Sequence, residues 1–196
     1  MYLTSFYRKF LWLFIPAVVG FTSLAAQSPG TALFELSNGE TNLKFEIVLP
    51  PVWVRQPALE GGNTVAVFRD STYSPAKKRG NCLDTALVHL MIFRGDLSET
   101  MQQLGFRKMN EGMYTTQING RISVAISSDE KRNNYNGLDC GFYTDELCSG
   151  QKIKKTRAEM RYLLFSNGSE TICFVNNGQP IPEAVAEQLF SSFTFK

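Results

Sequence analysis

Four cysteines, Cys82, Cys140, Cys148 and Cys173, and one histidine, His89, are the residues of this chain best suited to covalent, redox or metal chemistry. In a chain bound for an oxidising compartment an even number of cysteines points to disulfides rather than reactive thiols. Three pairings are open. Cys140 and Cys148 lie within one stretch rich in Asn, Gly and Asp, so the expected bridges are Cys140 with Cys148 and Cys82 with Cys173. Loop-closure entropy assigns roughly 2.5 kcal/mol to the short bridge and roughly 4.6 kcal/mol to the long one. Zinc is the competing use of the same residues, but the chain has no Cys-x-x-Cys pair and only one imidazole.

Catalytic constellations are scarce. His89 sits between Val88 and Leu90, where a lone histidine reads as a hydrogen-bonded sheet or core residue, and any Ser or Cys triad depends on it alone. Neither a Gly-x-Ser-x-Gly elbow nor a phosphate-cradling glycine loop occurs. Asp129, Glu130, Asp139, Asp145 and Glu146 offer carboxylates for a hard cation or for glycoside hydrolysis, but their spacing matches no calcium loop. The sequence therefore assigns no catalytic residue, no metal and no cofactor, and the chain reads as a non-enzyme.

Contact chemistry remains. Lys152, Lys154, Lys155, Arg157 and Arg161 form the densest basic stretch, and on a strand Lys155, Arg157 and Arg161 project from one face. Such a face is either a solvated or guarded edge or a docking surface for an acidic partner. Phe142 and Tyr143, expected inside the Cys140–Cys148 loop, read as surface anchors of the kind interfaces favour. The expected partner-binding residues are Phe142, Tyr143, Lys155, Arg157 and Arg161. Asn167-Gly168-Ser169 matches the glycosylation acceptor pattern but falls on a tight turn.

The elements that must hold these residues follow from periodicity. Residues 43–49 alternate as a half-buried strand and stop at Pro50 and Pro51. Residues 64–68 read as a second strand, and 86–93, open to helix or strand by periodicity alone, reads as a third from its length and the following Gly95, with a surface loop over 73–81 between them. Asp96 and Glu99 form a capping box ahead of a short helix ending at Gly105. Asn119-Gly120 joins two strands, 114–118 and 121–126, into a hairpin. Residues 129–151 read as a long polar loop. A second hairpin joins 154–165 to 171–175 through Asn167-Gly168, and a final helix opens at Pro182 before Ser192-Phe193-Thr194-Phe195. The expected fold is α+β: a mainly antiparallel sheet with hairpins, two or more short helices packed on it, and disulfide staples.

The N-terminus supplies an address. Arg8 and Lys9 precede an apolar core from Phe10 to Phe21, and Ser23 and Ala25 are the small residues of a cleavage site after Ala25 or Ala26. Pro16 and Gly20 interrupt the run short of the roughly 20 apolar residues a membrane span needs. Residues 1–26 are thus expected to be a signal peptide and 27–196 a single α+β domain, periplasmic, with no membrane span after cleavage. The whole chain has 20 basic and 18 acidic side chains. Loss of Arg8 and Lys9 leaves the two signs level, which removes the electrostatic case for nucleic acid.

Phe45-Glu-Ile-Val-Leu-Pro-Pro-Val-Trp53, a strand ending in Pro and reaching Trp, and the closing Ser192-Phe193-Thr194-Phe195 together resemble the PsbP-like α/β/α sandwich domains. The resemblance covers the two ends of the mature chain, and the four cysteines and the 129–151 stretch depart from it. It implies a non-enzymatic binding or assembly role and carries over no active site. The expected function is a periplasmic binding protein that engages a protein partner, for example an immunity protein or an inhibitor of a toxin or hydrolase. The alternatives are an envelope hydrolase using the loop carboxylates and a small-molecule carrier.

Overall fold

The computed structural model describes residues 31–37, 42–57, 60–72, 87–118, 121–132, 134–146, 156–177 and 181–196. The expected signal peptide, the 73–81 loop, Cys82, Cys148 and Lys155 lie outside them. Strands β1 (Thr31–Ser37), β2 (Asn42–Val48) and β12 (Thr194–Phe195) form a small antiparallel sheet in the order β1-β2-β12. The other nine strands are β3 (Trp53–Arg55), β4 (Thr64–Asp70), β5 (Leu87–Arg94), β6 (Phe106–Asn110), β7 (Met113–Ile118), β8 (Arg121–Arg132), β9 (Tyr135–Glu146), β10 (Thr156–Ser166) and β11 (Glu170–Asn177). They make one sheet in the order β3-β4-β5-β11-β10-β9-β8-β7-β6. Helices α1 (Leu97–Gln103) and α2 (Glu183–Ser192) complete the described elements.

The expected α+β class is corrected by this count: among the described residues two helices of seven and ten residues stand against twelve strands, and the fold is mostly β. Much of the difference lies in 129–151. In place of a long loop, β8 continues to Arg132 and β9 runs back from Tyr135 to Glu146, paired from Ile126 opposite Gly141 to Arg132 opposite Tyr135. The period-2 signal was present at Leu138, Cys140 and Phe142, all buried, but Asn136 and Gly137 ahead of them and Asp139 and Gly141 between them diluted it. Gly137 has a packing reason: a Cβ there would lie within 3.0 Å of both Glu130 and the Phe190 ring.

Local chemistry sets the turns and caps that were expected. Asp96 accepts from the Glu99 amide and Glu99 accepts from the Asp96 amide, closing the capping box of α1. Gly105 follows the helix at φ 83°, a conformation glycine adopts without a Cβ clash. At the β10–β11 turn the Asn167 side chain accepts from the amides of Ser169 and Glu170, both at 2.9 Å, and Gly168 sits at φ 96°. These contacts satisfy backbone donors the ladder leaves open.

Alternation along β10 distributes the core over both faces of the large sheet. Leu163 and Phe165 face the small sheet and α2, where Phe34 stacks on Phe45 with ring centroids 4.8 Å apart and Phe165 on Phe193 at 4.4 Å. Trp53 stacks on Phe68 at the same core. The Tyr135 hydroxyl donates to the Phe190 carbonyl, joining β9 to α2. Tyr162 and Leu164 face the opposite way, into a second core with Met101 of α1, Phe106, Phe142, Cys140 and Cys173.

The expected disulfide staples are also corrected. Cys140 and Cys173 are both buried free thiols. They project from β9 and β11, on either side of β10, opposite Tyr162 and Leu164 respectively, and each fills space in the second core as a small apolar residue.

Candidate functional site

The large sheet parts at one corner. β9 pairs with β10 from Asn136 to its end, Thr156 opposite Glu146 through Ser166 opposite Asn136. β8, in contrast, pairs with β9 only over Ile126–Arg132 and with β7 only over Arg121–Ile126. Its first half therefore leaves the main sheet with β7 and β6 and forms an outer meander. The inner side of that meander closes the second core: Phe106 lies 5.1 Å from Tyr162 and 5.9 Å from Phe142, both edge to face, and Ala125 is fully buried.

On the outer side lies the least expected surface of the molecule. Ile122 is 77% exposed, Val124 48% and Ile126 72%, a row of three β-branched residues along one strand. Their register partners on β7 are Gln117, Thr115 and Met113. Met109 of β6 and Tyr143 of β9 are also exposed. Single exposed apolar residues are ordinary; three in a row on one face of a strand are not.

The residues singled out from the sequence are separated by this arrangement. Phe142 is 3% exposed and packs in the second core, whereas Tyr143, the next residue on β9, faces outward at 52%. Arg157 pairs with Asp145 along the β9–β10 ladder, with its side chain outside the description. Arg161 is 8% exposed. Its guanidinium donates to both Asp139 carboxylate oxygens, from Nε at 3.0 and 3.2 Å and from Nη2 at 2.5 Å, to Glu183 Oε2 at 2.5 Å, and to the Ile181 carbonyl at 3.0 Å. The Asp139 hydrogen bonds, with those to Glu183, hold Arg161 protonated above the ordinary guanidinium value against the opposing effect of burial. Arg161 thus ties β9, β10 and the start of α2 together, and its charge is used inside the protein.

The groups that offered chemistry are similarly engaged. Burial, then the nearby Asp139 charge, pushes the Cys140 thiol up to about 12, and burial raises Cys173 as well. A thiol held protonated is a poor nucleophile and a poor metal ligand. His89 stands opposite Val67 and Val175, and burial lowers its basicity, so the ring is neutral at pH 7. Glu130 bonds Arg132 at 3.2 Å. Among the described residues no three His, Cys, Asp or Glu side chains converge on a point where a metal could sit, and no helix is long and apolar enough to cross a membrane. The depression lined by Arg94, Gly95, Glu99, Gln102 and Gln103 is shallow and open to solvent.

The exposed row was half legible. Arg121–Ile126 reads correctly as a hairpin strand, and Ile122-Ser123-Val124-Ala125-Ile126 alternates. Alternation predicts that Ile122, Val124 and Ile126 turn inward; the fold buries Ala125 instead, because the aromatic rings of Phe106, Phe142 and Tyr162 already fill the inner side. No protein-family model and no curated protein matches this chain.

Proposed function

We propose that the chain is a non-enzymatic binding protein, exported to the periplasm, that engages a protein partner through the outer face of β8 and the neighbouring Tyr143. The observation that carries this reading is the exposed row Ile122, Val124 and Ile126. An immunity protein or inhibitor that covers a toxin or hydrolase is one concrete form. Apolar residues flanked by an exposed tyrosine are the composition of interface centres. The engagement of Asp139 by Arg161 and the raised thiols weigh against a hydrolase built on these groups.

The test is retention of partners from the envelope of the source cells. A tagged chain and its I122S/I126S and Tyr143→Ala variants are compared by native mass spectrometry. A stoichiometric protein complex formed by the parent and lost in the variants is expected. Equal complexes in all three place the contact elsewhere, and hydrolysis of an envelope substrate by the parent overturns the non-enzymatic reading.

A further inference from the structure

In an Asn-Gly dipeptide the backbone readily attacks the asparagine side chain, because glycine carries no Cβ to shield its own nitrogen. Five such dipeptides occur in this chain, starting at Asn38, Asn119, Asn136, Asn167 and Asn177. Both residues are described for two of them, Asn136-Gly137 and Asn167-Gly168. The reaction needs the glycine nitrogen to lose its proton and bond to Cγ of the asparagine. The bond from Cγ to Nδ2 then breaks, ammonia leaves, and water opens the succinimide ring to aspartate or isoaspartate. Asn136-Gly137 lies within β9, opposite Ser166 and Phe165 on one side and Lys131 and Glu130 on the other. Ladders on both sides fix that backbone and keep Asn136 off the path. Asn167-Gly168 has no such ladder: it is the exposed turn between β10 and β11, where water reaches both residues.

We propose that Asn167 is a latent succinimide site and that the Ser166 hydroxyl is the group that keeps it from reacting. The Gly168 amide, which is the nucleophile, donates to Ser166 Oγ at 3.1 Å, and that hydroxyl donates in turn to the Glu170 carbonyl at 3.2 Å. Ser166 is 2% exposed, so solvent does not compete for its oxygen. On the electrophile, Asn167 Oδ1 accepts from the amides of Ser169 and Glu170. These two bonds act in opposite directions: they fix the orientation of the side-chain amide, but they also draw electrons from Cγ, which favours attack. Holding the nucleophile is therefore the contact that decides the outcome. The Gly95 amide donates to the Ser169 carbonyl at 2.7 Å, which anchors the turn and limits the swing of Gly168. Escape from this arrangement is costly to the fold. Isoaspartate inserts a methylene into the backbone, and either product sets a new carboxylate near Glu170, in a turn whose strands bury Leu164, Phe165, Ile172 and Cys173 completely.

Timed incubation of the purified chain in mildly alkaline buffer, followed by peptide mapping that separates asparagine, aspartate and isoaspartate, tests the assignment. In the folded parent, conversion at Asn167 should be at least about tenfold slower than in urea. Ser166→Ala should raise the folded rate at Asn167 by about tenfold, the change that loss of one hydrogen bond to the nucleophile allows. Ser166→Thr, which keeps the hydroxyl, should restore the parent rate. Asn136 is the internal reference, and its rate should stay at the parent value in both variants. Equal rates at Asn167 in the folded parent and in urea overturn the latent site, and an unchanged rate in Ser166→Ala overturns the role of the hydroxyl. A joint rise at Asn136 and Asn167 that Ser166→Thr does not reverse assigns the protection to the fold as a whole and also overturns that role.

Discussion

β11 and the first half of β8 carry the same kind of sequence and meet opposite fates. In Thr171-Ile-Cys-Phe174 every residue is fully buried, while in Ile122-Ser-Val-Ala-Ile126 only Ala125 is. β11 lies between β5 and β10, with the small sheet and α2 on one face and the α1 side on the other. The first half of β8 belongs to the outer meander, where only the inner face has a layer beneath it. Burial here is a property of position in the stack of layers, and an apolar strand placed outside that stack keeps its outer face in solvent.

The comparison predicts a graded set of substitution effects, and the largest belongs to β11. Phe174→Ala removes a ring that packs against Trp53 and Phe165, and urea unfolding should show a loss of about 3–5 kcal/mol. A loss below about 1 kcal/mol would mean that β11 is not the buried counterpart described.

Arg161→Met comes next, with an expected loss of about 3 kcal/mol, because Asp139 would be left mostly buried without its cation. A neutral result by the same measurement would return Arg161 to the role of a surface cation.

The thiols provide a pH-dependent effect. Cys140 has its thiol raised from 9.0 to about 12 in the fold, so the folded state holds its proton more tightly than the unfolded chain. The associated stability is complete below pH 9 and is lost as pH rises towards 12. Unfolding free energy measured across that window should fall, and Cys140→Ala should flatten the slope. At pH 8, alkylation of Cys140 and Cys173 without reductant should be slower in the folded chain than in urea by at least about 100-fold. Failure to label these two cysteines in urea without reductant would restore the disulfides.

The smallest stability effect is expected on the outer face. Ile122→Ser or Ile126→Ser should shift the free energy of the isolated chain by no more than about 0.5 kcal/mol, since both side chains are already in water. A loss of about 2 kcal/mol would mean that this face is covered within the chain itself and would remove it as a contact surface.

These contrasts also show how far sequence reading reaches. Features closed by neighbouring residues were legible: the Asp96–Glu99 box, the glycine after α1, the Asn167-Gly168 turn and the alternation of β2 and β10. Each depends on contacts within a few positions and on the period of one strand. β9 was hidden because Asn136, Gly137, Asp139 and Gly141 locally spell a loop; pairing with β8 and β10 overrides that preference. Phe142 and Tyr143 are adjacent and similar, yet strand pleating sends one to the core and the other to solvent, a choice that needs the register of the whole hairpin.

By itself, then, the sequence determined the strand-rich pattern, the local turns and caps, and the residues with any capacity for covalent or ionic chemistry. Only the tertiary structure decided that Arg161 is spent on Asp139 and Glu183, that Cys140 and Cys173 fill a core as thiols, and that the β-branched face of β8 looks outward. The reason is physical: local order follows from contacts between near neighbours, whereas burial and pairing follow from which distant strands and layers arrive to cover each face.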